Sequence, residues 1–159
     1  MREEGAEITV SGTVQADDFV VAPLTGEPCV LHRTHARVWD RLDAAGNLVD
    51  EVVLVRHAPF VLEVDGEAFH ITGPLEIVVD IEPVDVWPHP MHAAALLAGY
   101  APYVRSTFFD HVVIRAGDRL TVTGVVARDV ASDGEHGYRE TNVVTRLVGY
   151  DGRPLRISR

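Results

Sequence analysis

The stretch "PCVLHRTH", residues 28–35, brings the only cysteine of the chain within six residues of two histidines. A thiol beside an imidazole is the raw material of a nucleophile and its base. That chemistry needs a depressed thiol pKa and hydrogen-bond reach between the two groups. In a strand, alternate residues share a face, so Cys29 stands with Leu31, Arg33 and His35, while His32 turns to the other side. At about 3.3 Å per residue, His35 lies roughly 20 Å further along, and a sequence-local pair cannot form. Cys29 is read as a packing residue at the entrance to a strand.

His89-Pro-Met-His92 has the most metal-like spacing available, since positions i and i+3 share a helical face. Pro90 favours a loop or a first helical turn there, and nothing identifies a third ligand beyond a nominal Asp85, so adventitious metal binding is the expectation. His57, His70, His111 and His136 stand singly in or beside strand-like runs and read as surface or hydrogen-bonded residues. Asp110 and His111 are neighbours in a strand pattern and so point to opposite faces, which prevents them from converging on one substrate atom. Walker, Gly-x-Ser-x-Gly, His-Glu-x-x-His and dinucleotide fingerprints are absent. A carboxylate pair acting through space leaves no sequence signature, and 24 acidic residues offer no basis for choosing one. No catalytic residue, metal site or cofactor is therefore assigned.

The elements that position these groups are mostly short strands broken by turn residues. "AEITVSGTVQ" alternates as a first strand, and after the Pro23, Gly26, Pro28 turn "CVLHRTHARVWDRL" reads as one long, bent strand. "DAAGNLVD" forms a turn and "EVVLVRHA" a further strand. "FVLEVDGEAFHIT" sets Asp65–Gly66 between two β-patterned runs, the signature of a type I′ hairpin. In "PLEIVVDIEP", Leu75, Ile77, Val79 and Ile81 fall on one face, directed to the core. "VDVWPHPMHAAALLAGYAPYVRS" differs in kind: its prolines interrupt pairing, and Met91 to Gly99 suits two helical turns ending at glycine. Strands resume in "STFFDHVVIRAGDRLTVTGVVARDV", with a turn at Gly117–Asp118, and close with "RETNVVTRLVGY" and "RPLRIS" around Asp151–Gly152. With no repeat, low-complexity segment or linker, residues 1–159 read as one mainly β domain.

Three pieces, taken in order, resemble a known family. "GTVQADDFVVAPLTGEPCVLHR" is similar to a Gly-x-Val strand leading into a Pro-Leu-small-Gly-x-x-Cys-Val turn. "APFVLEVDGEAFHI" is similar to a Pro-Phe-x-Leu-x-Asp-Gly strand and turn. "DHVVIRAGDRLTVTGVVA" is similar to a late Gly-Asp turn before an alternating strand. The family is the GIDE, or "beside-a-membrane", domain, found next to the membrane spans of mitochondrial and plastid ubiquitin ligases and in many prokaryotic proteins. The resemblance covers roughly residues 9 to 130. It implies an OB-like, partly open barrel or sandwich with one short helical insertion, about residues 88–103. It also implies a recognition role. The chain departs from the ligases in lacking a RING, which one cysteine cannot supply, so ligase activity is not expected.

Composition narrows the function classes further. All 14 basic residues are arginine, which removes lysine Schiff bases, a Walker lysine and lysine general bases. The abundance of Ala, Val, Gly, Asp and Arg points to a GC-rich bacterial coding sequence. A formal net charge of −10 repels phosphate backbones and anionic membranes, so nucleic acid is not the expected partner. The longest apolar run, "MHAAALLAGYA", is about half a membrane span, and the first residues lack a signal-peptide core. A soluble, cytoplasmic chain is expected. The Pro-rich insertion combines aromatics with polar groups, and Trp87, His89, His92, Tyr100, Tyr103 and Arg105 are its candidate binding residues. Trp87, Tyr100 and Tyr103 read first as staples of the helix to the barrel and only second as a recognition surface. The expected function is non-catalytic recognition of a peptide, a protein or a small apolar ligand. A small enzyme with a spatially assembled carboxylate–histidine site, or an OB-like single-strand binder, is the alternative.

Overall fold

A computed structural model describes residues 3–39, 48–77, 81–97, 107–131 and 142–159. The protein is mostly β, 63% strand and 6% helix. In chain order the first strands are β1 (Glu7–Gln15), β2 (Val20–Val21), β3 (Pro28–Cys29), β4 (Leu31–Trp39) and β5 (Leu48–His57). There follow β6 (Phe60–Val64), β7 (Glu67–Thr72), β8 (Leu75–Ile77), β9 (Val84–Val86) and the helix α1 (Pro90–Leu96). The chain closes with β10 (Thr107–Ile114), β11 (Arg119–Ala131), β12 (Asn142–Val148) and β13 (Leu155–Ser158). Among the described residues no helix is long and apolar enough to cross a membrane.

Two compact units divide the chain. One comprises Met1–Asp17, Pro59–Ile81 and Ala116–Arg159, the other Asp18–Ala58 and Glu82–Arg115. Because the chain passes from one unit to the other four times, at 17/18, 58/59, 81/82 and 115/116, no linker composition marks the division.

The first unit is a barrel. Its strands follow the order β1-β6-β7-β12-β11, and β11 pairs back onto β1 to close the ring. Every pairing in the ring is antiparallel except β7 with β12, which is parallel. Counted by position along the chain, the five strands run 1-2-3-5-4-1, the partly closed Greek-key arrangement of an OB-like barrel. Strands β13 and β8 extend the sheet beyond β11. Alternation supplies the interior: Val10, Val14, Leu62, Phe69, Ile71, Leu120, Val122 and Leu147 are all buried. Closure depends on Gly12. There β1 is still in register with β11 (Gly12 opposite Leu120, Thr13 opposite Arg119), and from Thr13 onward it also pairs with β6. A Cβ at this position would stand 2.2 Å from the Glu63 carbonyl oxygen, so only glycine permits so close an approach of the two backbones. The expected hairpin joins β6 to β7, with Asp65 and Gly66 both at positive φ, 49° and 80°, and Val64 opposite Glu67.

The second unit holds a four-stranded antiparallel sheet, order β5-β4-β10-β9, and the small ribbon β2-β3. Leu24, Ala36, Val38, Phe109, Ala93 and Leu97 form its main cluster, so α1 packs through Ala93 and the following Leu97. The helix begins one residue earlier than its sequence pattern suggests. Pro90 takes the first helical position, where its missing N–H is no loss, and the His89 side chain caps the turn. The run after Pro28 is two strands rather than one. Cys29 pairs with Val20 in the ribbon, and the chain bends at Val30, whose N–H donates to the Ile114 carbonyl while its own carbonyl accepts from Ala58. Cys29, Val30, Leu31 and His32 are consequently all buried, and strand alternation starts only at β4.

Candidate functional site

Within the second unit, the four-stranded sheet places different chemistry on its two faces. Along β4, His32, Thr34, Ala36 and Val38 are buried, whereas Arg33, His35 and Arg37 alternate with them and are partly exposed. Register aligns Asp110 of β10 with His35 and with Asp85 of β9, and Phe108 with Arg37. Val53 of β5 lies opposite His35, and Glu51 opposite Arg37.

The outcome is a charge cluster that no local sequence window contains. Asp110 Oδ2 lies 3.4 Å from His35 Nδ1 and 3.7 Å from Arg37 Nη2. On its other side the imidazole approaches Glu51, with Nε2 3.8 Å from Oε1. The Asp110 side chain is only 8% exposed, so its charge depends on the Arg37 guanidinium and the His35 ring rather than on water. The other carboxylate oxygen, Asp110 Oδ1, is buried without a hydrogen-bond partner among the described residues, as are His35 Nε2 and Arg37 Nε. Asp110 and His111 do diverge as neighbouring strand residues must, one toward His35 and Arg37, the other opposite Thr34 on the inner face.

Beside this cluster opens a cleft of about 210 Å³, lined by Arg37, Asp85, Val86, Trp87, Thr107, Phe108 and Phe109. It runs along β9, the last strand of the sheet among the described residues. Trp87 is 91% exposed and Phe108 55%. Val84, at the start of the same edge, and Met91 on α1 are exposed as well. Asp85 is exposed, and its side chain forms no ion pair or hydrogen bond among the described residues. Phe109 contributes to both the cleft wall and the hydrophobic cluster beneath it, which gives the pocket a rigid floor.

The binding residues expected from sequence separate accordingly. Trp87 lines the cleft; exposed as it is, it does not staple the helix to the sheet among the described residues. His89 is exposed and its Nδ1 accepts from the Met91 N–H at 3.1 Å, the capping bond of α1. His92 is half-buried, its ring 6.3 Å from that of His89 and nearly perpendicular to it, and it lies over Gly26. Neither histidine lines the cleft, and no group of three or more His, Cys, Asp or Glu is placed to hold a metal among the described residues. Tyr100, Tyr103 and Arg105 lie outside the described residues. Arg37 and Phe108 were not among the expected binding residues, and Asp85 entered only as a nominal metal ligand. The available signal was the period-two run Arg33, His35, Arg37 interleaved with Thr34, Ala36 and Val38, which marks a strand with one polar face.

Cys29 is buried with Ala22, Val113 and Val20. Burial pushes its thiol pKa up, and the Glu27 carboxylate adds to that against a partial offset from Arg115, the opposite of what a nucleophile requires. On the inner face of the sheet, His32 contacts the Thr34 hydroxyl at 3.0 Å through Nδ1, and His111 is buried with Nδ1 unpartnered among the described residues. Burial lowers the pKa of both. Arg56 and His111 reinforce the effect at His32, while at His111 Glu27 and Asp110 oppose it and Arg115 adds to it. Both rings are neutral structural groups near pH 7.

Comparisons with protein-family models, with curated proteins and with solved structures find no match.

Proposed function

We propose that this chain is a recognition module that holds a segment of a partner protein in the cleft beside β9. The exposure of Trp87, paired with Phe108 across the same cleft, is the observation that carries the reading. Large aromatic side chains left in water at a concave site are the usual anchors of protein interfaces. The edge strand supports it: β9 offers only Val84, Asp85 and Val86 between Pro83 and Pro88. A partner strand therefore gains little main-chain pairing, and its affinity must come from a side chain seated in the cleft. The resemblance to GIDE-type domains, with their recognition role, agrees with this reading.

Catalysis by the His35–Asp110 pair has less support. Neither residue lines the cleft, and the imidazole already lies between two carboxylates of its own sheet. Single-strand binding fares worse still. The β6–β7 face, where OB-like barrels meet nucleic acid, exposes Glu63 and His70 beside half-buried Val61, and it carries no Phe, Tyr or Trp pointing outward.

The test is selection of a displayed random decapeptide library on the immobilised full chain, repeated with Trp87→Ala. Enriched sequences that lose at least about ten-fold in affinity on the variant are expected, the loss of one aromatic anchor. A library that yields no enrichment, or peptides indifferent to Trp87, would overturn the proposal.

A further inference from the structure

We infer that the partner side chain entering this cleft is cationic, an arginine or a lysine. The inference rests on the recognition reading above and specifies its occupant. It begins with a feature that the sheet does not balance internally. Asp85 and Asp110 are direct cross-strand partners on β9 and β10, and like charges so placed repel. Asp110 is compensated by His35 at 3.4 Å and Arg37 at 3.7 Å. Asp85 has no such partner among the described residues, yet it lines the cleft.

The surroundings favour a cation over the other occupants. Trp87 and Phe108 line the same cleft as the carboxylate with exposed rings, and an aromatic face attracts a guanidinium or ammonium group. Arg37, the positive group of the wall, faces Asp110, and Glu51 adds a further negative charge on the same face. An incoming carboxylate would meet Arg37 only at the expense of repulsion from Asp85, Asp110 and Glu51. At longer range the net charge of −10 draws basic partners and repels acidic ones. The apolar walls accept the methylene stem of a long basic side chain while the head group reaches Asp85.

The same decapeptide selection supplies the probe. Its most enriched peptide is synthesised with a fluorescent label, together with a counterpart in which norleucine replaces each basic residue. Binding is measured by anisotropy against the wild-type chain and Asp85→Asn, an isosteric change at an exposed position whose folding is checked by circular dichroism. An Arg or Lys at one fixed position is expected. The norleucine counterpart weakens binding about ten-fold and the Asp85→Asn variant, which removes one exposed ion pair, about three-fold, and wild-type affinity falls as salt rises. Trp87-dependent peptides with an acidic or apolar residue at that position, or an affinity unmoved by Asp85→Asn, would overturn the inference and leave the recognition reading standing. Absence of any Trp87-dependent peptide would overturn both.

Discussion

The barrel and the four-stranded sheet obey different rules. In the barrel unit the inside is apolar and the outside polar, down to hydroxyl pairs such as Thr9 with Thr123 and Ser11 with Thr121, each at 2.7 Å. In the sheet unit both halves of that rule are broken. All of the buried polar or charged residues among those described, His32, Thr34, Thr107, Asp110 and His111, belong to it. So do Phe19, Val21, Val53, Val55, Val84, Trp87, Met91 and Phe108, leaving Tyr150 as the one large exposed hydrophobic of the barrel unit among the described residues. Sequences depart from the rules of stable folding where another requirement competes, and that requirement is most often function. The contrast therefore favours the sheet unit as the home of the proposed recognition site independently of any single residue, with the barrel unit as its scaffold.

A scaffold should tolerate nothing at its closure point. Gly12→Val places side-chain atoms where even a Cβ meets the Glu63 carbonyl oxygen, and it should cost about 3 kcal/mol, the upper end of overpacking. Urea titration followed by circular dichroism measures the loss. A variant as stable as the parent would mean that β1 and β6 separate freely, and the distinction between a rigid unit and a working one would lose its basis.

The same contrast explains what could be read from the chain. The barrel strands, the Asp65–Gly66 hairpin and the Asp151–Gly152 turn were legible because they are local: alternation and turn chemistry lie within a dozen residues. The helix was legible too, within one residue of its start. The site was not. Asp110 reaches His35 and Arg37, and Asp85 reaches Asp110, only through strand register, and register between distant segments leaves no mark in a local window. Trp87 was singled out because an aromatic beside two prolines stands out. Whether it packed inward or faced water depended on which neighbours the fold supplied. The break of the expected bent strand into two at Val30 was hidden for a related reason: its hydrogen bonds go to Ile114 and Ala58, neither adjacent in sequence.

An intermediate effect should separate the units by pH. His32 and His111 are held neutral in the fold with pKa values below the ordinary 6.5, while unfolding returns both to it. Below about pH 6.5 the unfolded chain therefore binds more protons than the folded one, and stability falls as pH decreases through that window. Nothing is lost from these groups above it. His111→Leu, which removes a buried ring nitrogen without a partner among the described residues, should flatten the stability profile between pH 7.5 and 5. An unchanged slope would assign the acid sensitivity to carboxylates and remove the buried histidines from the contrast.

The smallest expected effect on stability is the most discriminating. Trp87→Ala deletes the largest side chain of the cleft, yet Trp87 is 91% exposed, and an exposed side chain has little burial to lose. Its unfolding midpoint should match the parent to within about 0.5 kcal/mol, while peptide affinity falls ten-fold or more. Core truncations such as Phe109→Ala, which removes the floor beneath the cleft, typically cost about 3–5 kcal/mol, so the two outcomes are easily told apart. A loss above about 1 kcal/mol for Trp87→Ala would show that the indole packs against the chain after all. It would then be a staple holding the insertion in place, and the exposed aromatics of the sheet unit would no longer set it apart from the barrel.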